Sequence, residues 1–335
     1  MASINLLAWD NQRGLSHDIR LLSETLVSLG HQVHVTRLGP HRKDGCWKSR
    51  LMHLNMWLRR LRSGDRKATL YDMNIALEHV RPAFFGLARL NVLIPNPEWL
   101  SPRSQRYLTR FDAILCKTRH AVEVFRARGC RAIHIGFRST DCLDPTVPRQ
   151  SSFLHLAGAS RMKGTKRLLA LWQRHPEWPK LLLMQSPRTA VPLPHPCPAN
   201  IEHRVCYLND IREIRYLQNA HRIHLCLSET EGWGHYIAEA MSCRAVVITC
   251  DAPPMNELVT AERGVLVATS GATSFNLTNL YRFDEAALER AIERVAAMSV
   301  DDCEILGDQA RAWFASNGPA FVAQLDSALR ELLNA

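Results

Sequence analysis

Apolar residues fall in short, nearly unbroken runs along this chain, and between the runs their spacing changes to three and four. In the first half the runs cover residues 4–9, 32–36, 73–77, 90–95, 113–117 and 131–137. Each has the length of a strand buried on both faces. Between the first two, Leu15, Ile19, Leu22, Leu26 and Leu29 form a stripe along one face of a helix. Gly30 follows, a residue that tolerates the left-handed geometry of a helix end. Buried strands alternating with helices predict a parallel, doubly wound sheet, because parallel neighbours need crossover connections that helices supply.

Residues 144–152, DPTVPRQSS, interrupt this pattern with prolines and small polar residues, as a linker does. The scheme then repeats. Strands are expected at 153–157, 180–184, 203–208, 223–227, 245–250 and 264–267, with helices around 168–172, 211–219 and 235–243. Three closing helical stretches end in FVAQLDSALRELL. The expected fold class is α/β, two Rossmann-like domains of doubly wound parallel sheet facing a cleft. The boundaries read as 1–145, a linker 146–152, a second domain 153–317, and a last helix 318–335 crossing back to the first domain.

The length of 335 residues suits two domains, and an apolar content of 46% supplies a core. No apolar run approaches the roughly 18–20 residues of a membrane helix, and the start MASINLLAWDNQRG lacks the flanks of a secretory signal. Ten cysteines occur without a CxxC pair or zinc-ligand spacing, which suits a reduced, cytoplasmic protein. Charge is uneven. Residues 1–150 carry 24 basic and 12 acidic residues, whereas the remainder carries 18 and 20. The first half is thus expected to face something anionic, or simply to present a solvated arginine-rich surface.

The densest chemistry lies in SETEGWGHYIAEAMSCRAVVITCDAPPMNELV, residues 228–259. An apolar run ends at Ser228, two glycines flank Trp233, and a helical segment carries Glu239 eight positions after Glu231. Loops of this kind emerge at the carboxyl ends of strands, where open α/β sheets bind ligands. The helix-start amides between the two acids suit an anionic group. Hydroxyls at both ends and phosphates in the middle are the features of a nucleotide-sugar.

These residues resemble the Glu-x7-Glu signature of the retaining, family-4-like glycosyltransferases of the two-Rossmann (GT-B) fold. INLLAWDNQRGLSHDIRLLSETLVSLGHQVHV, FLHLAGASRMKGT and RGVLV match that family in order, so the resemblance spans most of the chain. It implies that Glu239 accepts hydrogen bonds from the donor ribose. Glu231 and the amides of Gly232, Trp233, Gly234 and His235 would hold the sugar and diphosphate. Lys163, before Gly164, would neutralise the departing diphosphate, and Gly14 and Leu15 would approach the donor from the other domain. No enzymatic nucleophile and no metal are implied, and no DxD cluster occurs. Two positions depart from the family pattern. Ala159 follows Gly158 where an arginine is usual, leaving Arg161 or Ser160 to substitute, and Arg244 stands where a glycine usually closes the helix.

Glu78 and His79, at the end of MNIALEHV, are candidates for contacting the sugar or deprotonating the acceptor. Asn96, Glu98, Trp99 and Lys117 are further strand-end residues. In residues 46–67, Trp47, Leu51, Leu54, Leu58 and Leu61 make a narrow stripe edged by Arg50 and Arg62. Such a basic amphipathic helix lies on an anionic membrane surface or packs on its own sheet. The expected activity is transfer of a sugar from a nucleoside-diphosphate sugar to a glycan, lipid-linked or small-molecule acceptor, in cell-surface polysaccharide or glycolipid synthesis. The rivals are a nucleotide-sugar epimerase or hydrolase of the same fold, and a noncatalytic basic scaffold. No nucleic-acid readout motif supports the scaffold.

Overall fold

The computed structural model describes residues 1–9, 14–38, 51, 54, 69–193, 197–206 and 210–335. The stripe expected in residues 46–67 lies outside them, apart from Leu51 and Leu54, which are exposed. The described chain divides into two compact units, residues 1–138 with 319–335, and residues 139–318.

The first unit contains, in chain order, β1 (Ser3–Trp9), α1 (Gly14–Ser28), β2 (Gln32–Leu38), β3 (Tyr71–Leu77), β4 (Ala88–Ile94), β5 (Ala113–Cys116), α2 (Arg119–Arg126) and β6 (Ala132–His134). Its six strands are parallel in the order β2-β1-β3-β4-β5-β6. Leu15, Ile19, Leu22 and Leu26 are buried, so the apolar stripe is the face of α1 turned to the core. Gly30, at φ 83°, ends the helix, and the next amide, of His31, donates to Leu26 O at 3.1 Å. A polar ladder crosses this sheet inside the core. Thr36 Oγ1 donates to Asn5 Oδ1 at 2.6 Å, Asn5 Nδ2 to Asn74 Oδ1 at 2.9 Å, and Asn74 Nδ2 to Asn91 Oδ1 at 2.9 Å. Buried amides of this kind tolerate one pairing register, because a slip would strand them.

The second unit contains β7 (Gln150–Gly158), α3 (Thr165–Trp172), β8 (Leu181–Gln185), β9 (Ile201–Val205), α4 (Ile211–Ala220), β10 (His221–Cys226), α5 (His235–Ser242), β11 (Val246–Cys250), β12 (Val265–Val267), β13 (Thr269–Phe275), β14 (Thr278–Phe283) and α6 (Glu285–Ala296). Here the parallel order is β12-β11-β10-β7-β8-β9, the doubly wound order of dinucleotide-binding sheets. β7 begins at Gln150, within the stretch read as linker. Its start pairs with β10, and Ser152 Oγ meets His221 Nδ1 at 2.8 Å.

Two expectations are corrected. The antiparallel hairpin β13–β14 is absent from the sequence expectation, since β13 (TSGATSF) is short of apolar residues and largely exposed. Beyond 284 there are two long helices, not three. α7 (Val300–Asn334) runs unbroken through Pro319, residues 300–318 belonging to the second unit and 319–334 to the first. Among the described residues no helix is long and apolar enough to cross a membrane.

Candidate active site

In the second unit the strand order reverses between β7 and β10, and ligands of open α/β sheets bind outside the carboxyl ends of strands at such a point. Two loops leave there, one from β7 into α3 and one from β10 into α5. They are laced together where the Glu229 amide donates to Met162 O at 2.8 Å. Gly164 permits the approach. It starts α3 at φ 67°, and a Cβ on it would stand 2.7 Å from Leu227 O. His155 fixes α3 from beneath. Its Nδ1 lies 2.7 Å from the Leu225 carbonyl, which can only accept, so Nδ1 carries the proton and Nε2 accepts from Thr165 Oγ1 at 3.0 Å. Burial pulls this imidazole down to about 4 and so keeps it neutral.

On that base Lys163 Nζ donates to Glu231 Oε1, and Ser228 Oγ donates to the same oxygen at 2.5 Å. Tyr236, in the first turn of α5, lays its ring under the ammonium with 3.3 Å from Nζ to the centroid. Its hydroxyl meets Ser228 Oγ at 2.5 Å. Burial and nearby acidic groups raise the phenol well above its ordinary value, so it stays protonated. Gly234, at φ 96°, precedes the helix. One turn into it, Glu239 accepts from Gln218 Nε2 at 3.4 Å. Burial raises the Glu239 carboxyl, opposed by His235, Gln218, Arg215 and Lys163.

The other expected donor residues have assigned places. Trp233 is buried and its indole N–H donates to Ser139 Oγ at 3.1 Å. His235 Nδ1 lies 2.8 Å from the same hydroxyl. Ser160 Oγ accepts from the Met162 amide at 3.2 Å, which bends the β7 loop, and Arg161 is exposed. Gly232 is buried in the loop before α5.

In the first unit Gly14 starts α1, and Leu15 is buried in its first turn. Glu78 follows β3 at φ 59°, a left-handed conformation uncommon outside glycine. Asn96 Nδ2 donates to Glu78 Oε2 at 2.9 Å, and Lys117 Nζ donates to Asn96 Oδ1 at 3.0 Å and Asp18 Oδ2 at 2.5 Å. Lysine only donates, so it sets the orientation of the Asn96 amide. Burial raises the Glu78 carboxyl, although Asn96 and Lys117 both oppose this. His79 Nδ1 is 3.8 Å from Glu78 Oε1, and its ring stands edge-on to Trp9. Glu98 is buried and Trp99 is 51% exposed.

The structure therefore joins Lys163 to Glu231 in one unit, and Glu78 and His79 to Asn96 and Lys117 in the other. Sequence reasoning passed over Tyr236, Ser228, Asp18 and Ser139. Tyr236 was the most accessible of these, standing three residues before Glu239 in the same predicted helix.

Residues 198–278 match the family described as glycosyl transferases group 1. The matched segment runs from ahead of β9 to the first residue of β14 and so contains Glu231 and Glu239. Solved structures share the fold over the length of the chain. A sucrose-phosphate synthase from Thermosynechococcus elongatus superposes with a TM-score of 0.72 at 15% identity, covering 100% of both chains. A glycosyltransferase from Rickettsia africae gives 0.68 at 14%, covering 99% of this chain and 98% of that one. HepE of Anabaena, solved with UDP-glucose, gives 0.64 at 15%, covering 100% of both. The fold is thus that of the GT-B glycosyltransferases. Comparison with curated proteins found no match.

Proposed function

We propose that this chain is a retaining glycosyltransferase that moves a sugar from a nucleoside-diphosphate sugar to a carbohydrate or lipid-linked acceptor, without a metal requirement. The observation that carries the reading is the Lys163–Glu231 pair at the strand-order reversal of the second unit, beside the first turn of α5. Breaking a sugar–phosphate bond builds negative charge on the leaving diphosphate. A lysine and helix-start amides at that point stabilise the charge. Glu231 accepts from sugar hydroxyls and Glu239 from the ribose. Gly164 and Ser160 let the β7 loop approach the phosphates, with Arg161 supplying charge. HepE, which shares the fold, binds UDP-glucose, and the reading places a donor of that class in this chain.

Acceptor recognition falls to the first unit, where Glu78 and His79 are the groups able to take a hydroxyl proton. A carboxyl whose pKa is raised by burial is the better base for that step. The protein works in the cytoplasm, with residues 46–67 as its contact to an anionic membrane face.

A thermal-shift screen against UDP-, GDP- and ADP-sugars tests the donor. One series should stabilise the wild type, and Lys163→Ala and Glu239→Ala should each abolish the shift. Nuclear magnetic resonance of the product should show the donor's anomeric configuration, with turnover unchanged by EDTA. A free sugar as the sole product would favour a hydrolase, and a sugar epimerised on its nucleotide an epimerase.

A further inference from the structure

The Lys163–Glu231 pair closes a chain whose protons can all be placed. Ser228 gives its hydrogen to Glu231 Oε1, so the Tyr236 hydroxyl must donate to Ser228 Oγ. Lys163 donates to the same carboxylate oxygen, with its ammonium on the face of the Tyr236 ring. The two charged side chains are 15% and 17% exposed, so the pair is largely sheltered yet open to a ligand.

A diphosphate entering this site meets a lysine already engaged. To bind, it must draw the ammonium from Glu231, leaving a sheltered carboxylate short of a donor next to a new negative charge. That is costly unless something replaces the lost partner. The hydroxyls of a donor sugar can do so, because they are hydrogen-bond donors, whereas a bare nucleoside diphosphate brings none to that position.

We infer that Lys163 changes partners during the reaction, from Glu231 in the free protein to the diphosphate in the complex, and that Glu231 takes the sugar hydroxyls in exchange. Ser228 and Tyr236 are its positioning residues. The Tyr236 ring holds the ammonium while it moves, and Ser228 keeps a donor on Glu231 throughout. Once the sugar has gone to the acceptor, Glu231 recaptures Lys163 and helps expel the nucleoside diphosphate. The pair thus sets selectivity for substrate over product. The inference rests on the donor site proposed above.

Isothermal titration of UDP, GDP and ADP, with UDP-glucose, GDP-mannose and ADP-glucose, onto wild type, Glu231→Gln, Ser228→Ala and Lys163→Ala tests it. Glu231→Gln no longer competes for the lysine and should bind the bare diphosphate about five- to tenfold more tightly, as expected for removal of a sheltered ion pair. It should bind the sugar nucleotide less tightly. Ser228→Ala leaves Glu231 more dependent on Lys163 and should weaken the bare diphosphate about threefold. It carries the test should Glu231→Gln not fold. If Lys163→Ala weakens both ligands while neither other variant moves diphosphate affinity in the stated direction, the exchange is wrong and the donor site stands. If no pair of ligands binds the wild type, or Lys163→Ala binds both unchanged, the donor site falls and the exchange with it.

Discussion

Arg244 and Gly307 meet backbone to backbone, so closely that a Cβ added at Gly307 would stand 2.2 Å from the Arg244 carbonyl oxygen. Arg149 Nη2 donates to that same oxygen at 2.6 Å. Arg244 itself adopts φ 58°, the glycine-like backbone its place at the end of α5 suggested. Its guanidinium reaches Glu304 Oε2 at 2.9 Å and Asp308 Oδ1 at 2.6 Å on α7. We expect Gly307→Ala to lower stability by roughly 1–3 kcal/mol, although alanine is the better helix former by about 1 kcal/mol. Arg244→Ala should be less stable than Arg244→Gly, because both lose the ion pairs and only alanine keeps a left-handed cost of about 1 kcal/mol. Chemical denaturation of the three variants decides. A Gly307→Ala protein as stable as wild type would contradict the contact.

Gly164 is under a similar constraint at the candidate site, with its positive φ and its pro-Cβ position 2.7 Å from Leu227 O. An alanine there must move the loop that carries Lys163. We expect Gly164→Ala to weaken binding of the stabilising sugar nucleotide more than tenfold, a change of about 1.4 kcal/mol or more. Titration calorimetry measures it. Affinity within threefold of wild type would mean that the loop does not hold the lysine in place.

The strands were legible because a parallel sheet covered on both faces leaves its mark as unbroken apolar runs, as in Leu6–Leu7 and Val246–Ile248, all buried. The hairpin β13–β14 left none, since its first strand is polar, with Ser270, Gly271, Ala272 and Thr273 exposed. In the site, Lys163 and Glu231 stood out by their glycines, but their mutual contact did not. It depends on β7 and β10 being neighbours across 68 residues of chain, a pairing no local pattern encodes. The Asn5–Asn74–Asn91 ladder was hidden for the same reason, each amide reading alone as a polar interruption of an apolar strand.

Lys117 and Asp18 form an ion pair in the first unit whose side chains are 3% and 5% exposed. Removing one partner leaves the other charge buried, at a cost of roughly 3–5 kcal/mol. We expect Lys117→Met to show a loss of that size by urea denaturation. Asp18→Asn with Lys117→Met should cost clearly less than the two single losses combined. Additive losses would show that the two charges do not depend on each other in the folded protein.

Three buried histidines of the second unit give folding an acid limit. Burial, the largest cause in each, pulls His155 and His221 down to about 4 and His224 to about 3. In the unfolded chain each titrates near 6.5. Between that value and about 4 the unfolded chain binds protons that the native sites refuse, so stability rises with pH across this window and falls as acid is added. Below about 4 the native imidazoles of His155 and His221 begin to protonate, and their contribution to the slope levels off. His224 Nε2 donates to Gln218 O at 3.0 Å, a bond a glutamine amide can also make. We therefore expect His224→Gln to be less stable than wild type at pH 7.5 but to lose less on going to pH 4.5. Urea midpoints at pH 7.5, 6.5, 5.5 and 4.5 measure both slopes. Equal slopes would mean that the native site protonates His224 as readily as water does.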